Sequence, residues 1–512
     1  MAKNNKSHKS SSKNVKIALG ISIGVIAVCV IGWFIYISGI IPQIMPGMTV
    51  YETAPDGVTL QKVESVSVLE TNYYFSEVFQ QYAQYGYVTR DMLDEVYNPA
   101  TGETYRDMIL QQVGMQVMNQ TLINRAAKED GFLQYSQAAL IADKQSENIE
   151  MMAALYGYSS VDQYLFQVYG TGMSLRVYKD ILAKEILTSE YQEYIGQFKF
   201  VPTAEEVQAA YDANPSAYQL ADFNYFFIPA DVDDEGNVTG MEEAEAAASK
   251  IVVAAPDSPE AFRDAIIAYL TEKGDEGALE SFADDGDPTR CEGYTSQYTD
   301  YFVEGFTEFI FGADTQEGDI AMIPTETGYY VIRFDKVYLD DAATVSYRVM
   351  TLPFTTTLDL ETTDFATLQA EAEAQAAKII SGPVDSLTFY SICKANSSDS
   401  NEMISGGYVP GAKITAFQSN STVEGATPLA TDITQAGEWL FDPARVQGDY
   451  IVILSQDKTR VLVYYFECNE PSWQYQVKNQ LIVSAINDWA TQLQANNPSY
   501  EINKGWIEQF TY

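Results

Sequence analysis

The side chains most often used for catalysis are scarce in this chain. Its 512 residues hold one histidine, His8, and four cysteines, at positions 29, 291, 393 and 468. A triad that passes its proton through imidazole needs a histidine beside the site, so a histidine-based triad or zinc centre has no ligand beyond residue 8. The cysteines stand singly with no C-x-x-C pair, which argues against a thiolate zinc site and against a disulfide framework. Carboxylates are plentiful, 71 in all, yet nothing in their spacing singles out a pair suited to glycoside hydrolysis. One stretch does space them as chemistry would. Asp231, Asp233, Glu235 and Glu242 occupy positions 1, 3, 5 and 12 of a twelve-residue stretch with Gly236 at position 6, the pattern by which a calcium loop turns oxygen ligands onto a hard cation. A glutamate at position 5 and an upstream flank that reads as strand favour a polar turn instead. No other cofactor is indicated.

The elements that would position such groups fall into blocks. A tail at 1–16 carries five lysines, and a charge-free apolar run follows at 17–41. As a helix that run is about 37 Å long against a hydrocarbon core of about 30 Å, which predicts a single transmembrane anchor. The lysines predict a cytoplasmic N-terminus and an extracytoplasmic remainder in a single-pass cell-membrane protein. Residues 42–60, with Pro42, Pro46, Gly47, Pro55 and Gly57, read as a linker. Helical spacing of apolar residues then predicts a helical domain over 61–214. Two tandem α+β units follow at 215–340 and 341–470, opened by β-prone stretches at 223–228 and 346–352. The amphipathic segment at 473–493, within 471–512, is expected to pack back on the helical domain.

Composition limits the partners. The first 41 residues hold five lysines and no acid, so the rest of the chain is five charges more negative than the total of −41. Such a surface repels nucleic acid. Apolar residues make up 46% of the chain, with 36 Tyr and 24 Phe, enough to build cores rather than a disordered tether. Tyrosines in the helical domain fill helix interfaces or line a surface for other chains.

Several motifs resemble those of a known family. Phe306, Phe309 and Phe311, then Gly318 and Ile320, then Thr325, Gly328, Tyr329 and Tyr330 resemble the F-x-x-A-x-F, G-x-I and T-x-x-G-Y-H endings of parvulin-type (PpiC-like) peptidyl-prolyl isomerases, with Phe309 where alanine is usual. In the second unit Gly406, Gly407, Trp439, Phe441 and Gly448 look like a degenerate copy. Together with the helical block, this resembles membrane-anchored SurA/PrsA-like foldases. The resemblance implies an α+β multidomain protein with one transmembrane helix, an all-α chaperone domain and two parvulin-like modules. It further implies an extracytoplasmic chaperone that binds unfolded or newly translocated polypeptides, with self-association left open.

The same resemblance places a proline pocket at Tyr225, Phe309 and Tyr330. The family's paired histidines are missing, since Tyr225 and Tyr330 stand at those positions in the first unit, and Arg348 and Leu462 in the second. Rotation about an X–Pro bond needs no proton transfer, so a histidine-free isomerase stays an alternative. A non-catalytic envelope structural or adhesion protein is another.

Overall fold

The computed structural model describes residues 39–255, 258–283, 286–418, 431–505 and 507. Helix α1 (Ile40–Ile44) leads into a hairpin of β1 (Pro46–Thr53) and β2 (Leu60–Ser67). Helix α2 (Val68–Gln84) starts where the Ser67 hydroxyl accepts the Glu70 N–H. After a small hairpin of β3 (Val96–Asn98) and β4 (Glu103–Thr104), α3 (Tyr105–Glu129) opens with a capping box between Thr104 and Asp107. This satisfies N–H groups that have no partner within the helix. Helices α4 (Ala138–Leu155), α5 (Val161–Tyr169), α6 (Leu175–Phe198) and α7 (Ala204–Ala213) complete the run.

The first α+β unit contains β5 (Gln219–Pro229), α8 (Met241–Ala254), α9 (Pro259–Lys273), α10 (Glu276–Glu280), β6 (Arg290–Tyr294), α11 (Ser296–Thr299), α12 (Phe306–Ile310), β7 (Ile320–Thr325) and β8 (Gly328–Leu339). The second contains β9 (Ala343–Pro353), α13 (Phe365–Ala377), α14 (Ser386–Asn396), α15 (Ser400–Ser405), β10 (Tyr408–Lys413), α16 (Thr431–Leu440), β11 (Tyr450–Leu454) and β12 (Arg460–Pro471). The chain returns through α17 (Ser472–Leu493) and β13 (Ser499–Ile502).

Each unit builds an open antiparallel sheet, ordered β6-β5-β8-β7 in the first and β10-β9-β12-β11 in the second. The two follow the same path, and the likeness extends to single hydrogen bonds. The Gly318 N–H donates to the Phe334 carbonyl, the Phe334 N–H to the Asp319 carbonyl, and the Asp319 carboxylate accepts the Gln316 N–H. Gly448, Phe466, Asp449 and Val446 repeat this arrangement. Gly318 and Gly448 have φ of 88° and 101°, which explains glycine at both turns.

Outer sheet edges are closed by different means. On β11 the Gln369 amide of α13 donates to the Val452 carbonyl at 2.7 Å and accepts the Leu454 N–H at 2.8 Å. It takes the place that another strand would occupy. The matching position on β7 is Pro324, which has no N–H to offer.

Several expectations are corrected. The helical block is not all-α, because it holds the sheet β13-β1-β2. The stretch read as a linker contains β1, whose Met48 and Val50 are each 1% exposed. Most of the expected span, 17–38, lies outside the described residues. Its last three residues open a short packed turn: Gly39 sits so close to Gly172 that a Cβ on either would strike the other's backbone. No helix among the described residues is long and apolar enough to cross a membrane, so the single-pass cell-membrane reading is not upheld.

The second unit is held against the helical block by buried charge. Lys394 on α14 donates to Glu190 on α6 at 2.6 Å, with both side chains almost fully enclosed. Arg348 on β9 pairs with Glu467, donates to Gln197 of α6, and lies over the rings of Phe198, Tyr390 and Tyr408. The first unit joins the rest through a knot of Val207, Tyr218, Trp473 and Val477.

Candidate functional site

Alternation along a strand assigns neighbours to opposite faces. Phe223, Tyr225 and Phe227 of β5 therefore share a face with Phe334, Ile332 and Tyr330, their register partners on β8. On the other face Ile228 and Val331 pack against α8 and α9 around Ala248, Phe262 and Ile266. The aromatic face is crossed by α11, α12 and the loop between them, which supply Phe302, Phe306 and Phe309.

The result is a connected set of rings. Phe302 stacks on Phe306 with centroids 4.5 Å apart, and Tyr225 meets the edge of Phe302 at 4.9 Å. Tyr330 lies 4.8 Å from Phe227 and 6.2 Å from Tyr225. Phe223 and Phe306 form a buried floor, while Tyr225, Phe302, Phe309 and Tyr330 remain half-buried and Tyr298 and Tyr301 are exposed. Aromatic contacts of this kind give shape and a large apolar area with few rotatable bonds.

The polar groups beside the rings are not primed for proton or thiolate chemistry. Burial pushes the Tyr225 phenol and the Cys291 thiol above their ordinary values. Both therefore keep their protons near neutrality, and a buried thiol held as S–H is a poor nucleophile. The face presents apolar ring surface to a side chain laid against it, and its phenols can hydrogen-bond the polar backbone beside that side chain.

The second unit treats the equivalent face differently. Counting from the matching pairs Pro229–Gly328 and Pro353–Arg460, Val349 and not the expected Arg348 stands where Tyr225 does, and Leu462 stands at the position of Tyr330. Around them Tyr347, Phe417, Leu462 and Tyr464 are all buried. Val349, Trp439 and Phe441 stay half-buried here as Tyr225, Phe309 and Phe311 do in the first unit, but Leu462 and Ile453 are buried where Tyr330 and Ile323 are half-buried.

The structure brings Tyr225, Phe309 and Tyr330 to one cluster. Phe306 and Phe311, marked by the same motif, belong to it too, whereas the spacing of the motifs did not reveal Phe302, Tyr294 or Cys291. Their signal was the density of aromatic residues from Tyr294 to Phe311, which becomes a surface only when α11 and α12 fold over the sheet.

Asp231, Asp233, Glu235 and Glu242 do not form a shared ligand set. The Asp233 carboxylate accepts the N–H groups of Glu235 and Asn237, closing a hairpin. Hydrogen bonds from the Asn237 side chain and backbone hold that carboxyl below its usual range. Glu242 has passed into the first turn of α8. Among the described residues, no group of three or more His, Cys, Asp or Glu is placed to share a metal ion.

No family model matches the chain, and no curated protein matches it. The expected kinship with SurA/PrsA-like foldases and parvulin-type isomerases is therefore not upheld, nor is the anchored chaperone function drawn from it. Short motifs such as F-x-x-x-x-F and G-x-I fix a turn and a few core positions, which many α+β sheets require. The structure supports α+β units with open sheets.

Proposed function

We propose that this is a polypeptide-binding protein whose first α+β unit receives an apolar segment on the Tyr225–Phe302–Phe306–Tyr330 face. The carrying observation is the contrast between the units: the same sheet path leaves Tyr225, Phe302 and Tyr330 half-buried in one and closes over Leu462 and Ile453 in the other. An extended segment could lay alternate apolar side chains against such a surface while the phenols meet its backbone. Edge pairing at β7 is disfavoured by Pro324, so side-chain contact carries the recognition.

Titration of the purified full chain with a fluorescent peptide of roughly ten residues containing Phe and Leu tests the reading. Replacing Phe302 with Ala removes the ring stacked on Phe306 and should weaken binding about tenfold or more. The variant's far-ultraviolet dichroism and melting curve establish that it is folded. Unchanged affinity in a folded Phe302→Ala protein would remove the face from consideration.

A further inference from the structure

The segment that builds the open face has an unusual charge balance. Between Cys291 and Ile332 there are eight acids, at 292, 300, 304, 308, 314, 317, 319 and 326, and no lysine or arginine. All eight are exposed. Asp300 ends α11, Glu304 and Glu308 flank the start of α12, and Glu326 lies in the turn between β7 and β8. None of these four lies within 4 Å of a cationic side chain among the described residues. The corresponding stretch of the second unit, 409–464, mixes six acids with four bases. Negative charge is thus one-sided where the aromatic face is open.

We infer that the face selects segments in which aromatic or aliphatic side chains are flanked by lysine or arginine. This inference rests on the polypeptide-binding reading and adds the chemical class of its ligand. An apolar group laid over the contacting rings of Tyr225, Phe302 and Tyr330 brings neighbouring residues toward Asp300, Glu304, Glu308 and Glu326. Cationic side chains there gain from the acids and from the ring faces, while acidic ones are repelled. Several exposed pairs acting together account for discrimination of about tenfold, and salt screens it.

The test uses the full chain and three labelled peptides with one apolar core, flanked by lysine, glutamine or glutamate. The expected order is lysine, then glutamine, then glutamate, with about tenfold between the extremes in dilute buffer and a smaller gap at about 0.5 M salt. The double variant E304K/E308K, altered only at exposed positions, should reverse or abolish the order and keep its melting curve. Equal binding of all three peptides, each weakened by Phe302→Ala, overturns the charge selection and leaves the polypeptide-binding reading in place. Binding of none overturns both. A lysine preference unaffected by E304K/E308K also overturns the inference, because the selecting charges then lie elsewhere.

Discussion

Glu185 of α6 sits against three tyrosines that touch one another, Tyr73, Tyr169 and Tyr178, with centroids 5.1 to 5.9 Å apart. The Tyr73 hydroxyl donates to it at 3.0 Å, while Tyr169 donates to nearby Glu77. Burial and the charges of Glu77 and Glu70 push its carboxyl up to about 7, against the opposing Tyr73 hydrogen bond. The folded chain therefore retains a proton that the unfolded chain gives up near 4.5. Its contribution is most favourable below about pH 4.5 and is lost as pH rises to about 7. Allowing for partial exposure, the loss is about 2 kcal/mol. Glu185→Gln keeps an acceptor for Tyr73 without the charge. Urea unfolding should find the variant more stable than the parent at pH 8 by about that amount, and equal to it at pH 4.5; a constant difference across this range would refute the assignment. None of this was legible in the sequence, since Glu185 is an ordinary acid on a helix until the tyrosines of α2 and α5 close over it.

Among the elements, those fixed by local rules were the easiest to read. The Thr203–Glu206 capping box and the apolar periodicity over 108–126 describe helices that the structure contains. The β-prone stretch at 223–228 lies in β5, and its alternation sorts Tyr225 from Phe226. Elements set by distant partners were not readable. β1 resembled a proline- and glycine-rich linker because its pairing with β13 is invisible to any local window. The candidate site was half legible: Tyr225, Phe309 and Tyr330 were found through motif positions, but Phe302 depends on how α11 folds over the sheet. Edge protection in the second unit belongs to this scale too. Gln369→Ala removes two hydrogen bonds from β11 and should cost about 1–2 kcal/mol. It also bares a strand of Ile451, Val452, Ile453 and Leu454, so light scattering during a thermal ramp should rise at a lower temperature than in the parent.

Across the whole molecule the two similar units are attached by different chemistry. The second is tied to the helical block through Lys394–Glu190, where Glu190 also accepts the Ser136 hydroxyl and the Gln137 N–H. Desolvation lowers the Lys394 ammonium from its ordinary value, against the pull of Glu190. Lys394→Met leaves a buried carboxylate without its cation and should destabilise the protein by about 3–5 kcal/mol. Adding Glu190→Gln should recover part of that loss, measured by urea midpoints of the single and double variants. A single variant as stable as the parent would show that the pair does not hold the interface. The first unit joins through its apolar knot and a few polar links beside it: the Tyr218 hydroxyl donates to Gln480, and the Asp340 carboxylate accepts from Lys413 and Gln476. At the far end of the chain, the Tyr51 hydroxyl reaches Glu501, 450 residues away, as β13 pairs with β1. Synthesis completes both α+β units before Ser499 exists. The block made first is consequently the last to close, and a chain halted short of β13 would expose an unpaired strand edge to cellular proteases.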